Sequence, residues 1–83
     1  MSDVEQLDRA RRQLGLSVYD LWIAYIGVGG YRDAFDVRSY LRGDATLDDR
    51  DHDHLVLALN EAFDDAGADH PLPYRSGGFG SLG

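Results

Sequence analysis

The chain has 83 residues, no cysteine and a net charge of −7, from fifteen acids against eight bases. That length suits one domain folding with a thin margin, and the missing cysteines remove disulfides, thiolate metal sites and a cysteine nucleophile. The acidic field repels phosphate backbones, which argues against nucleic acid as a partner, and without an 18-residue apolar run no membrane span is expected.

The elements follow in chain order. Ser2 and Glu5 have capping-box spacing, and Val4, Leu7, Ala10 and Leu14 repeat at helical spacing, which predicts a first helix over about 3–14 that Gly15 ends. Ser17 and Asp20 repeat the box ahead of "VYDLWIAYI", predicting a second helix over about 18–27. Because it is apolar nearly all round, it is expected to be the central, most buried element. The glycines from Gly27 to Gly30 end it. Asp33 and Asp36 open a third helix over about 34–42, with Ala34, Val37 and Leu41 inward and Phe35 and Tyr40 flanking. Thr46 and Asp49 open a fourth over about 47–66, with Leu55, Ala58, Leu59, Ala62, Phe63 and Ala66 on one face. Nothing alternates with a period of two for long enough to make a sheet. The expected fold is all-α, a compact four-helix domain in residues 1–67.

Pro71 and Pro73 then favour an extended strap over 68–75, and the glycine–serine composition of 76–83 predicts a flexible tail. The polar N-terminus is unlike a signal peptide. With the absence of cysteine this suggests a cytoplasmic protein. All eight bases are Arg and thirteen acids are Asp, a skew that points to a host rather than to a function.

The stretch Asp51-His52-Asp53-His54 raises the question of a metal or acid–base site. His52 and His54 are two apart, about 200° around a helix, so regular geometry cannot bring both to one ion. Asp48 with His52, or Asp51 with His54, supplies two ligands where zinc needs three or four. The stretch is therefore read as a helix start, with its acids solvated near the positive end of the dipole. A metal or small-ligand sensor on helix 47–66 stays as the weakest alternative. No catalytic, cofactor or metal residues are assigned: Ser17 is better explained as a cap, and the abundant carboxylates sit in first turns.

Two binding readings remain. Helices 18–27 and 34–42 with the turn between them resemble a helix-turn-helix, in which Arg32, Arg38 and Arg42 would face DNA; the global charge opposes the phosphate contacts it needs. The reading preferred is a non-enzymatic protein–protein interaction or regulatory module. Tyr and Trp dominate interface hot spots, and Tyr19, Tyr25, Tyr31, Tyr40 and Tyr74 are its partner-binding candidates. The partner is another protein, in the simplest case a second copy forming a homodimer.

Leu21-Trp22, Tyr25, Gly29-Gly30, Tyr40-Leu41-x-Gly43, Ala58-x-Asn60-Glu61 and Pro71-x-Pro73-Tyr74 together resemble a group of short, acidic, all-helical actinobacterial proteins over residues 21–74. The resemblance implies a host and a helical fold rather than a mechanism. It also brings forward Asn60 and Glu61 in mid-helix, where Asn has poor propensity, and they are expected to bond an adjacent loop.

Overall fold

A short polar side chain ahead of an apolar run satisfies a helix-start amide that has no carbonyl of its own. In the computed structural model, which describes residues 2–69 and 72–75, this happens four times. Ser2 Oγ accepts from the Glu5 amide at 3.1 Å and opens α1 (Asp3–Gln13). Ser17 and Asp20 bond reciprocally and open α2 (Val18–Gly27). Asp33 accepts from the Asp36 amide to open α3 (Ala34–Leu41). For α4 (Asp49–Asp65) the cap is Asp48, which accepts from the Asp51 amide at 2.9 Å. That corrects the expectation of Thr46: an ionised acceptor at this end of the dipole bonds more strongly than a hydroxyl. The same amide holds the Asp48 carboxyl below its usual range.

Among the described residues the fold is all-α. α1 and α2 each pack against both α3 and α4, around a core that includes Leu7, Leu21, Val37, Leu55 and Leu59. No helix among them is long and apolar enough to cross a membrane.

The expectation that helix two is the most buried element is corrected. α2 buries only Leu21 and Tyr25, whereas α4 buries ten residues, from Asp51 to Phe63. Apolarity all round a helix implies burial all round only if neighbours cover every side, and here they cover one. Tyr19, Ile23 and Ile26, spaced four and three apart, lie on the uncovered side.

The strap returns to the bundle. Leu72 and Tyr74 are half-buried against the core. The Asn60 side-chain amide donates to the Leu72 carbonyl at 3.1 Å, and the Arg75 amide donates to Asp53 Oδ1 at 2.6 Å. Asn60 thus bonds a neighbouring segment, as its unfavourable place in mid-helix suggests. The expectations for His70, Pro71 and the tail 76–83 lie outside the described residues.

Candidate functional site

Asp51, His52, Asp53 and His54 are all buried. The expectation of solvated first-turn acids is therefore corrected for Asp51 and Asp53: the first turns of α4 run beneath the α2–α3 turn on one side and the strap on the other. Asp51 Oδ1 accepts from the Tyr25 hydroxyl at 3.2 Å, and its Oδ2 pairs with Arg32 Nε at 2.9 Å. The Tyr25 oxygen in turn accepts from the Arg32 amide, and the Trp22 indole donates to the Arg32 carbonyl at 2.9 Å. Arg32 is thus held by α2 through its backbone and by α4 through its side chain. Gly30 makes this possible, since a Cβ there would overlap the Tyr25 ring.

The neighbouring residues reach other parts of the fold. His52 Nδ1 shares a 2.6 Å hydrogen bond with the Tyr40 hydroxyl on α3, and the rings meet edge to face. Asp53 accepts from the strap, and His54 Nδ1 donates to the Arg50 carbonyl within α4. Over His52 lies a crevice of about 280 Å³ between α1, α4 and the strap. Arg75 lines it, bonding Asp3 at 2.7 Å and lying 3.5 Å from Asp49.

Burial pushes the His52 imidazole below its ordinary value, and the Arg75 charge adds to the effect. It pushes the Tyr25 and Tyr40 hydroxyls up. Asp51 and Asp53 are engaged by cationic or backbone donors and His52 by a tyrosine, so the arrangement holds elements together. Among the described residues no three His, Asp or Glu side chains converge as a group able to hold a metal ion.

Comparison with protein-family models, with curated proteins and with solved structures finds no match for this chain. The functional reading therefore rests on its own surface.

The five tyrosines divide. Tyr25 and Tyr40 are buried with their hydroxyls bonded inward, so they cannot reach a partner at the surface, and their place on the aromatic patch is corrected. Tyr74 is half-buried on the strap. Tyr19 and Tyr31 are 61% and 68% exposed, joined by Ile23 at 50%, Ile26 at 40% and Phe35 at 70%. The last three were not among the sequence candidates. Tyr19 and Trp22 have ring centroids 5.5 Å apart, and Tyr19 and Phe35 line one cleft between α2 and α3. The patch is therefore continuous from α2 onto α3. Of the three arginines in the helix-turn-helix reading, Arg32 is paired with Asp51, while Arg38 and Arg42 are exposed.

Proposed function

We propose that the chain is a non-enzymatic protein–protein interaction module whose contact surface is the outer face of α2, extended by Tyr31 and Phe35. The observation that carries this reading is the exposed ridge Tyr19–Ile23–Ile26, which continues onto α3 at Phe35. Tyr19, Ile23, Ile26 and Phe35 form one exposed apolar surface across α2 and α3, with Tyr31 exposed in the turn between these helices, and such a patch on so small a domain marks an interaction site. Single exposed apolar residues would need no such account. A helix-turn-helix reading draws no support from Arg32, because Asp51 already holds its guanidinium.

The test is affinity capture from a host lysate with the full chain and with Ile23→Asp, tagged and read by mass spectrometry. A protein retained by the full chain and lost with Ile23→Asp is the expected result; the retained protein includes untagged copies of the chain itself. Retention of nothing above a control removes the reading.

A further inference from the structure

The two clefts that flank α2 differ in lining and are opposite in charge. On the α3 side Tyr19 and Phe35 project beside a cleft of about 330 Å³ edged by Arg38. On the α4 side a cleft of about 240 Å³ is floored by Ala24, Gly27, Ala58 and Ala62, and Glu61 and Asp65 edge it. Projecting aromatic rings and positive charge stand at one end of the face, a hollow of small residues and negative charge at the other.

Gly27 adds an independent observation. It is the last residue of α2, its φ is not positive, and a Cβ there would meet nothing within 4 Å. Alanine would fit and would favour the helix. The isolated fold gives no reason for glycine at this position, whereas a neighbour packed closely on α2 does.

We propose, resting on the interaction reading above, that the occupant of this face is a second copy of the chain. A two-fold axis passing between the clefts lays Tyr19, Phe35 and Arg38 of each copy on the hollow and the Glu61–Asp65 edge of the other. Every contact is then made twice, as an isologous interface requires. Tyr19, Ile23, Ile26 and Phe35 expose roughly 400–500 Å² per copy, and the walls of the two clefts add to this toward the ~800 Å² per partner of a standard interface. Each copy carries −7, but repulsion between exposed charges fades beyond about 8 Å at physiological salt, while charges within the face oppose in sign. A uniformly basic partner would satisfy Glu61 and Asp65 and meet Arg38 with like charge.

Sedimentation equilibrium on the full chain, from about 1 μM to about 500 μM, decides the matter. The expected result is a monomer–dimer equilibrium with a Kd of micromolar order. Gly27→Leu fills the hollow and should weaken the dimer at least about tenfold, with the thermal midpoint of the fold unchanged or raised. Arg38→Glu should weaken it by about tenfold, and adding Glu61→Arg and Asp65→Arg should recover most of that loss. A monomer at every concentration overturns the proposal, as does a dimer indifferent to Gly27→Leu or one that the charge exchange fails to recover. If the chain is monomeric yet captures a different protein in an Ile23-dependent way, self-pairing falls and the interaction reading stands. If it is monomeric and captures nothing, both fall.

Discussion

The Tyr25 hydroxyl donates to Asp51 and accepts from the Arg32 amide, each at 3.2 Å, so one oxygen ties α2, the turn that follows it and α4. A carboxylate as buried as Asp51 needs donors, and it has two here, the phenol and the Arg32 guanidinium. Removing a partner from such a group costs the desolvation of whatever is left unsatisfied, which exceeds the net worth of the bond itself.

Tyr25→Phe keeps the ring in the core and deletes only that oxygen. It should destabilise the fold by about 2–3 kcal/mol, from one orphaned amide and a carboxylate short of a donor. Urea denaturation reads this as a lower midpoint with an unchanged slope. A variant that unfolds at the wild-type midpoint would mean that water replaces the phenol at no cost.

Two glycines three residues apart should respond in opposite ways. At Gly30 a Cβ would overlap the fully buried Tyr25 ring, which is hemmed in by the core and by its own hydrogen bonds. Gly30→Ala should therefore cost about 2–4 kcal/mol through forced displacement of packed groups. Gly27→Ala enters open space on a helix and should gain up to about 0.5–1 kcal/mol. Thermal melts of the pair check both signs; equal effects would show that the ring relaxes freely.

How much of this the sequence contained depends on the range of each interaction. Helix starts and stops are local, so Ser2, Ser17 and Asp33 mark three starts correctly, and only Thr46 goes astray, with Asp48 capping in its place. The face that α2 buries is not local. "VYDLWIAYI" has nearly uniform apolarity, and periodicity cannot tell a helix covered on every side from one left open along Tyr19, Ile23 and Ile26. Asp51 likewise reads as a first-turn acid because its partners stand nineteen and twenty-six residues away. Residue type alone could not have separated Tyr25 and Tyr40, whose hydroxyls point inward, from Tyr19 and Tyr31. The glycine pair at 29–30 was the one available signal, since a side chain packing on backbone needs a missing Cβ nearby.

His52 makes stability depend on pH. Burial, with the Arg75 charge second, lowers its folded pKa below the ordinary 6.5. Between those two values the unfolded chain binds the proton and the folded chain does not, so stability rises with pH across that window. The contribution is fully present above about pH 6.5, falls as the pH drops below it, and levels off beneath the folded pKa. His52→Gln, which keeps a polar group for Tyr40, should flatten this part of the profile. Asp3 and Asp48 have lowered pKa values and act further down, withdrawing stability as the pH falls through 3.8 and below. Urea midpoints across pH 4.5 to 8 for wild type and variant isolate the His52 limb, and parallel profiles would take His52 out of the account.

The strap makes a separable contribution. Ending the chain after Asp69 removes the donor to Asp53, the acceptor for Asn60, the Arg75–Asp3 pair and the cover that Leu72 and Tyr74 give the core. The two partly buried hydrogen bonds and the half-buried side chains together should be worth about 2–4 kcal/mol. The exposed Arg75–Asp3 pair adds little to that sum. The truncated chain should keep the helical circular dichroism of four helices and unfold at a lower urea concentration. It should also keep its self-association, because none of the described strap residues lines either cleft beside α2. An unchanged midpoint would show the strap to be a passive appendage. Loss of the dimer in a truncated chain that still folds would move the contact surface from α2 to Tyr74 and its neighbours.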